Sequence, residues 1–193
     1  MFVPSFELSL KYAKLTTFDF VGEICVRSAW VSFCNWDYIA IAEGQQDPGK
    51  NFNGWHFTKD QGVVVNRNSI RVLGRVDFMI KCATESIPPR LLEDTLQDHP
   101  DVQKVCVVGV PDERMYQKIC ACIILKEGRH NNEDALRAEF EEWGKDKYFE
   151  SSIGFVVKPH YYLFVDSFPV NSRGKVSKRE VRAMAVKMLG LQM

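Results

Sequence analysis

The sequence has no long apolar segment. Its apolar runs are far shorter than the ~20 residues that a membrane-spanning helix needs. The opening residues, Met1–Glu7, lack the basic and then apolar order of a secretion signal. We therefore expect an intracellular, soluble protein with no integral membrane segment.

An excess of charge of one sign is also missing. Lys and Arg together number 25, and so do Asp and Glu. This balance creates no overall field that would draw the protein to nucleic acid or to an anionic membrane. Residues 171–193 are locally basic, with six basic residues and one acidic residue, and a solvated helix face is the simplest explanation. Because no aromatic residues are interleaved with these charges, we expect no nucleic-acid partner.

Cysteine spacings typical of metal or redox sites are absent as well. Cys120 and Cys122 are one residue apart in a strand-like run, so their side chains share a face and match neither a CxxC motif nor zinc-ligand spacing. Other cysteines among the six, such as Cys106, lie within apolar runs, which is typical of reduced, buried thiols in an intracellular protein. We predict no metal site.

The chain does contain enough apolar residues to form a core. It has 193 residues, of which 46% are hydrophobic and 26% charged, as expected of a globular protein of one or two domains. From Phe2 to about Leu73, short apolar runs are separated by turn residues, which predicts a small antiparallel β subdomain. After Lys81, helical and strand patterns alternate, which predicts a compact α+β domain of about 110 residues.

The second region divides into a series of predicted elements. A helix follows Pro88–Pro89 and ends at His99–Pro100, where a proline prevents continuation. The later elements are a strand at Val105–Val110, a turn at Pro111–Asp112, a strand at Ile119–Leu125, a helix capped by Asn132, an irregular stretch at Gly144–Lys158, a strand at Tyr161–Val165, and a final helix with Val181, Met184, Ala185 and Met188 on one face.

The junction between the two regions is Gly74–Lys81. A glycine, the opposite charges of Arg75 and Asp77, and a following apolar pair indicate a boundary at which the chain can pivot. An ordinary exit from a strand into a loop, with surface ions, is the alternative. We divide the chain into residues 1–74, a hinge at 75–81, and a domain at 82–193.

Lys175 is the leading candidate for an anion-binding residue. It follows Gly174, which allows a positive φ or a close approach of the backbone to a ligand. Its four-carbon stem can carry a point charge outward to a phosphate or a carboxylate. A solvated surface lysine is the alternative explanation of such a turn.

Six short blocks occur in a characteristic order along the chain. They are Gly22–Arg27, Gly54–Asp60, Gly74–Asp77, His99–Val102, Val107–Asp112 and Gly174–Lys175. Together they resemble the C-terminal third of the adenylate-forming enzymes, the acyl-CoA synthetases. The run Asp112–Met115, followed by Ile119–Ile123, is most similar to medium-chain fatty-acid CoA ligases of the mitochondrial type.

This resemblance implies a reaction and its substrates. In this family a fatty acid or another carboxylate reacts with ATP and Mg²⁺ to form an acyl-adenylate, and the acyl group then passes to the thiol of coenzyme A. Residues 1–74 would be the last β subdomain of the large adenylation domain, and residues 82–193 would be the mobile C-terminal domain. The resemblance implies a mitochondrial or cytoplasmic location.

The resemblance also implies roles for residues near the junction. Asp60 matches the aspartate that accepts hydrogen bonds from the ribose hydroxyls, and Arg75 matches an arginine that also reaches the nucleotide of ATP or AMP. Asp77 matches the hinge position about which the C-terminal domain rotates.

Two further roles are implied in the second region. Lys175 matches the catalytic lysine that meets the carboxylate and the α-phosphate, where a fixed positive charge stabilises phosphoryl transfer. The loop after the hinge, with Ala83, Thr84 and Glu85, would face the pantetheine of CoA.

The chain departs from the family pattern at several positions. Lys59 stands where the family usually has glycine, Ala83 and Thr84 stand where it usually has two glycines, and Arg173 stands where serine is common. Ala and Thr adopt glycine-like backbone conformations only at a cost of about 1 kcal/mol or more.

No segment of the sequence resembles the phosphate loop or the aromatic-Gly-x-Thr-Glu segment that build the family's ATP and acyl pockets. We therefore expect that these 193 residues do not catalyse the full reaction alone. A non-catalytic nucleotide-binding, CoA-binding or regulatory module is the alternative, and an α+β domain with accidental motifs is a third.

Overall fold

The computed structural model describes most of the chain. The described residues are 7–15, 20–27, 51–52, 55–66, 69–128, 132–150, 154 and 156–192. The chain divides into two compact units, Met1–Asp77 and Phe78–Met193, and each is described by itself below. This division falls within the segment predicted as a hinge.

The described residues of the first unit form an antiparallel sheet. Its strands are β1 (Glu7–Leu15), β2 (Phe20–Arg27), β3 (Asn51–Phe52), β4 (Trp55–Asn66) and β5 (Ser69–Arg75). Their order is β1-β2-β4-β3, and β5 also pairs with β4. Ile24, Cys25, Val63 and Leu73 of this sheet are buried. A short 3₁₀ turn, Val76–Phe78, follows β5.

The described residues of the second unit form three helices and a mixed sheet. The helices are α1 (Pro89–Gln97), α2 (Glu133–Gly144) and α3 (Lys178–Met188). The strands are β6 (Ile80–Cys82), β7 (Glu85–Ile87), β8 (Val102–Asp112), β9 (Tyr116–Leu125), β10 (Phe149–Glu150), β11 (Val156–Val157) and β12 (Tyr161–Phe164). Strands β6 and β8 pair with β9 antiparallel and β12 pairs with it parallel, whereas β10 and β11 form a separate ribbon.

The alternation of side chains along β9 builds a core on each face of this sheet. Ile119, Ala121 and Ile123 belong to one core, in which buried residues of α1 and α2 also lie. Cys120 and Cys122 belong to the other core, which is covered by α3. This arrangement confirms the predicted shared face of the two cysteines, because successive residues of a strand point to opposite faces.

The cysteines of the described residues are buried. They are Cys25, Cys82, Cys106, Cys120 and Cys122, and Cys34 lies outside the described residues. Burial, with a smaller contribution from Glu93, raises the pKa of the Cys106 thiol to about 12, so this thiol stays protonated at neutral pH.

Two predicted details are wrong. Pro111 and Asp112 were predicted as a turn, but they continue β8 and pair with Gln117 and Tyr116. Proline is tolerated there because β8 pairs with β9 alone among the described strands, and an edge strand need not donate every N–H to a neighbour. The turn follows β8, at residues 113–115.

The buried face of α3 also differs from the prediction. It is formed by Val181, Ala185 and Val186, whereas Met188 is 51% exposed. The predicted helix is therefore confirmed, and its predicted buried face is partly wrong.

The predicted cap of α2 is confirmed. Asn132 caps α2 by accepting a hydrogen bond from the backbone N–H of Asp134 at 3.1 Å. No helix in the described part of the chain is long and apolar enough to cross a membrane.

Candidate functional site

A cluster of charged side chains surrounds Arg75 in the first unit. Asp60 of β4 lies directly opposite Arg75 of β5, and Arg75 Nη1 is 3.6 Å from Asp60 Oδ1. Arg75 Nη2 is 3.6 Å from Asp77 Oδ2, and Arg75 Nη1 donates to the carbonyl of Thr58 at 3.1 Å. The pairing of β4 with β5 and the adjacent 3₁₀ turn thus bring together Asp60, Arg75 and Asp77, the three residues predicted near the junction.

These three side chains are open to solvent. Asp60, Arg75 and Asp77 are 39%, 44% and 57% exposed. Such ion pairs contribute little to stability, because water screens them. Their accessibility instead leaves the carboxylate oxygens of Asp60 able to accept hydrogen bonds from a ligand.

The backbone before Asp60 is held in a tight, glycine-like conformation. Lys59 has a φ of 61°, which L-residues with side chains rarely adopt. Its N–H donates to Glu23 Oε1 at 2.9 Å, and the N–H of Asp60 donates to Thr58 Oγ1 at 3.0 Å. The Thr58 hydroxyl in turn donates to the carbonyl of Ile24 at 2.9 Å. This network keeps Asp60 in place although lysine occupies the strained position.

Lys175 lies on a closed turn in the second unit. Asn171 N–H donates to the carbonyl of Lys175 at 2.8 Å, and Gly174 N–H donates to the carbonyl of Asn171 at 2.9 Å. Asn171 Oδ1 accepts hydrogen bonds from the N–H groups of Arg173 and Lys175 at 2.9 and 3.1 Å. Gly174 has a φ of 73°, a conformation that favours glycine.

Asn171 was not singled out in the sequence. Its residue type could have indicated this role, because Asn side chains commonly accept hydrogen bonds from backbone N–H groups two residues ahead. Lys175 itself is exposed, and no carboxylate of the described residues lies within ion-pair distance of it. Its charge is therefore available to an anion.

The helix after this turn is anchored to the rest of the unit. Lys178 Nζ lies 2.6 Å from Glu93 Oε1 of α1, and the same oxygen accepts a hydrogen bond from the N–H of Val107 in β8 at 2.8 Å. Ser177 N–H donates to the carbonyl of Pro169 at 2.9 Å. These contacts fix the start of α3, three residues after Lys175.

The predicted CoA-facing loop is the tip of a hairpin formed by β6 and β7. Ala83 and Thr84 form the two-residue turn, and both are exposed, whereas Glu85 is half-buried. Ala83 has a φ of 53°, and its N–H donates to the carbonyl of Met115 at 2.8 Å. The loop is thus tied to the turn between β8 and β9.

Asp112 holds that second turn. Its Oδ1 accepts hydrogen bonds from the N–H groups of Arg114 and Met115 at 3.0 and 2.9 Å, and Lys118 Nζ lies 2.8 Å from its Oδ2. The hydrogen bond from Lys118, followed by those from the backbone, lowers the pKa of Asp112 to about 2. The carboxylate is therefore ionised at neutral pH and able to make all three contacts.

Replacing Ala83 with glycine is expected to stabilise the protein by about 1 kcal/mol, because glycine adopts this φ without the clash of a Cβ atom. Thr84→Gly is the matched control. Thr84 is not among the residues with positive φ, so its replacement is expected to lower stability by about 0.5–1 kcal/mol. Urea unfolding followed by circular dichroism would measure both, and equal effects of the two variants would contradict the role assigned to the φ of Ala83.

His99, Asp101 and Glu139 form a compact group whose potential ligand atoms lie within 4.8 Å of one another. His99 is buried, and its Nδ1 accepts a hydrogen bond from the backbone N–H of Asp101 at 3.2 Å. The proton of a neutral ring is then on Nε2, which makes that nitrogen a donor and not a metal ligand. His99 also stacks on Phe140 at 4.2 Å between ring centroids, so we assign the group a structural role.

The predicted site residues are thus divided between the units. The first unit holds Asp60, Arg75 and Asp77 in one cluster. The second holds the hairpin loop and Lys175 in separate places, each braced by its own hydrogen bonds.

Residues 91–175 match the family model of the AMP-binding enzyme C-terminal domain. This stretch of the chain belongs to that family. The matched stretch begins in α1 and ends at Lys175, so it contains the Asp112 turn and the Asn171 turn of the AMP-binding C-terminal domain.

Curated relatives extend the similarity over nearly the whole chain. The chain is 34% identical over 179 residues to the mitochondrial medium-chain acyl-CoA ligase of Homo sapiens, a match that covers 93% of this chain and 26% of the relative. It is 34% identical over 141 residues to a putative acyl-CoA synthetase of Bacillus subtilis, which covers 73% of this chain and 24% of that protein. The chain therefore spans about a quarter of the length of these relatives.

Solved structures show the same fold. An anthranilate CoA ligase in complex with anthranoyl-AMP matches 96% of this chain and 34% of its own, with a TM-score of 0.73 and 24% identity. The amide bond synthetase McbA of Marinactinospora thermotolerans matches 93% of this chain and 34% of its own, with a TM-score of 0.69 and 25% identity. These matches confirm the predicted α+β fold class of the AMP-binding C-terminal domain.

Proposed function

We propose that this chain supplies the C-terminal part of an ATP-dependent fatty-acid CoA ligase. Its substrates would be a fatty acid or another carboxylate, ATP and CoA. The observation that carries the proposal is the Lys175 turn, in which an exposed, unpaired lysine is held by Asn171 at the end of a matched AMP-binding C-terminal domain.

In the first half-reaction, an oxygen of the substrate carboxylate attacks the α-phosphorus of ATP and pyrophosphate leaves. Lys175 would place its ammonium group between the carboxylate and the α-phosphate, where negative charge accumulates. Asp60 would accept hydrogen bonds from the ribose hydroxyls. Arg75, next to Asp60, would reach the nucleotide and balance the charge of the carboxylate.

In the second half-reaction, the CoA thiol attacks the acyl carbonyl and AMP leaves. Ala83, Thr84 and Glu85 would then face the pantetheine. Rotation of the C-terminal domain about Asp77 would withdraw Lys175 after the first half-reaction and bring the hairpin loop to CoA for the second. The ion pair between Asp77 and Arg75 would break or form again in each catalytic cycle. Asp77 is suited to this position because it lies in a single exposed 3₁₀ turn.

Mg²⁺ would accompany ATP, as in the family, where it neutralises phosphate charge. Among the described residues, His99, Asp101 and Glu139 form a group with potential metal ligands close to one another. The buried imidazole of His99 does not suit Mg²⁺, because this ion prefers oxygen ligands. We therefore assign no residue of this chain to Mg²⁺. A mitochondrial or cytoplasmic location is part of the proposal, since Cys82, Cys106, Cys120 and Cys122 are buried as free thiols.

These 193 residues would work only together with an adenylation domain, because positioning of ATP supplies most of the catalysis in phosphoryl transfer. The test is a chimera in which this chain replaces the corresponding part of the human medium-chain ligase. We expect the chimera to form acyl-CoA from a medium-chain acid, ATP and CoA, and the 193-residue chain alone to form none. Turnover by the chain alone would disprove the need for a partner domain, and a folded but inactive chimera would argue against the ligase role.

A second candidate function is a non-catalytic nucleotide-binding or CoA-binding module derived from such an enzyme. Lys59 and Ala83 favour it, because both occupy glycine-like conformations at positions where the family has glycine. The chimera separates the two functions. A module would bind ATP or CoA without turnover, and Lys59→Gly with Ala83→Gly would restore turnover if these residues are the cause.

A further inference from the structure

Tyr116 is an exposed aromatic residue in a strained turn. It begins β9 with a φ of 64° and is 66% exposed. The N–H of Gln117 donates to the carbonyl of Met115 at 2.7 Å, so Tyr116 is the central residue of a three-residue turn closed by an i to i+2 hydrogen bond. Turns of this kind with positive φ at the centre are rare and strained.

The frame around Tyr116 is rigid. Tyr116 pairs with Cys82 at the end of β6, and the carbonyl of Met115 accepts hydrogen bonds from both Ala83 and Gln117. Asp112 holds the same turn through Arg114 N–H and Met115 N–H. Tyr116 is therefore fixed beside the tip of the hairpin formed by β6 and β7.

The position of the strain is informative. Glycine would adopt a φ of 64° freely, whereas tyrosine adopts it at a cost in free energy, and a ring that is two-thirds exposed gains little from packing. The other non-glycine residues with positive φ among the described residues are Lys59 and Ala83, which adjoin or belong to the candidate sites. Strained backbone is typical of ligand-binding positions.

We propose that the ring of Tyr116 is a stacking platform for the adenine base of CoA. This inference rests on the proposed function, in which the Ala83 turn faces CoA. Adenine offers a flat face to an exposed aromatic ring, and such stacking does not require hydrogen-bond readout.

The charges next to Tyr116 suit the rest of this ligand. Arg114 lies two residues before it, and the N–H of Lys81 donates to Gln117 Oε1, one residue after it. Both cations are exposed, and no carboxylate of the described residues pairs with either side chain. They can meet the phosphates that distinguish CoA from its pantetheine arm.

The test compares Tyr116→Gly with Tyr116→Phe in the full 193-residue chain by isothermal titration with CoA. Phenylalanine keeps the ring and should keep the affinity. Glycine removes the ring and should weaken CoA binding about 5- to 100-fold, while raising the midpoint of urea unfolding because the strain is relieved. Phosphopantetheine, which has no adenine, should bind both variants equally.

Three results would overturn the inference. They are an absence of CoA binding by the unmodified chain, equal CoA affinity in Tyr116→Gly and the unmodified chain, and a lower unfolding midpoint in Tyr116→Gly, which would show that the ring has a packing role. Titration with ATP distinguishes the two sources of adenine, and a larger loss for ATP than for CoA would also reject the assignment.

The chimera keeps this inference separate from the proposed function. If Lys175→Ala abolishes acyl-CoA formation and Tyr116→Gly leaves the KM for CoA unchanged, the stacking platform is wrong and the ligase role stands. If Lys175→Ala has no effect on turnover, the proposed function fails. The stacking platform is supported if Tyr116→Phe has a normal KM for CoA and Tyr116→Gly has a raised KM for CoA.

Discussion

Lys175→Ala in the chimera is expected to reduce acyl-adenylate formation about 100- to 1,000-fold, which is the usual effect of removing one positioned group that stabilises charge in a transition state. The second half-reaction, started from preformed acyl-adenylate and CoA, should change far less, because the proposed role of Lys175 belongs to the first step. Pyrophosphate release and acyl-CoA formation would measure the two steps separately.

The turn around Lys175 should survive this substitution. Asn171 Oδ1 accepts a hydrogen bond from the backbone N–H of residue 175, and the N–H of Asn171 donates to the backbone carbonyl of residue 175. Neither contact uses the lysine side chain. The unfolding free energy of Lys175→Ala should therefore stay within about 0.5 kcal/mol of the unmodified protein. A loss of activity can then be attributed to the missing charge.

Arg173→Ala is the matched control for this experiment. Arg173 is another exposed cation on the same turn, and its side chain forms no ion pair within the described residues. If Arg173→Ala and Lys175→Ala slow adenylation equally, the general positive charge of residues 171–193 is sufficient, and the specific role of Lys175 is wrong.

The sequence was sufficient to predict features that depend on local pattern and on the order of motifs. The cap at Asn132, the shared face of Cys120 and Cys122, and the exposed turn at Lys175 follow from neighbours a few residues apart. The family resemblance rested on the order of the six blocks, and the family match over 91–175 confirms it.

Features that depend on distant pairing were not predictable in this way. Glu93 and Lys178 are 85 residues apart, and nothing near either residue indicates that α3 begins against α1. Tyr116 was overlooked because its φ is imposed by pairing with β6 and by the Asp112 turn. The strand through Pro111 was missed because local turn propensity does not reveal which side of a strand is free.

Glu93→Ala is expected to lower the stability of the chain by about 2–3 kcal/mol. One carboxylate oxygen accepts both the Val107 N–H and the Lys178 ammonium, and the side chains of Glu93 and Lys178 are only 19% and 25% exposed. Its removal leaves two poorly solvated donors without their acceptor, and such loss is more costly than the net gain from an average hydrogen bond. Urea unfolding would measure the change.

A control on the same helix separates this effect from ordinary surface charge. Asp94 pairs with Arg90 at 3.5 Å, with both side chains about two-thirds exposed, so Asp94→Ala should cost less than about 0.5 kcal/mol. Glu93→Gln keeps an acceptor for the Val107 N–H and should fall between the two alanine variants. If Glu93→Ala costs no more than Asp94→Ala, the contact does not anchor α3.

The anchor also links stability to the proposed chemistry. Lys178, the first residue of α3, lies three residues after Lys175, and the N–H of the intervening Ser177 donates to the carbonyl of Pro169. The position of the Lys175 turn therefore depends on where α3 begins. In the chimera, Glu93→Ala should therefore slow adenylation more than Asp94→Ala does, at a temperature where both variants remain folded. Lys178→Met should produce a similar loss, and the double variant should lose less than the sum of the two single losses, because both changes remove the same contact.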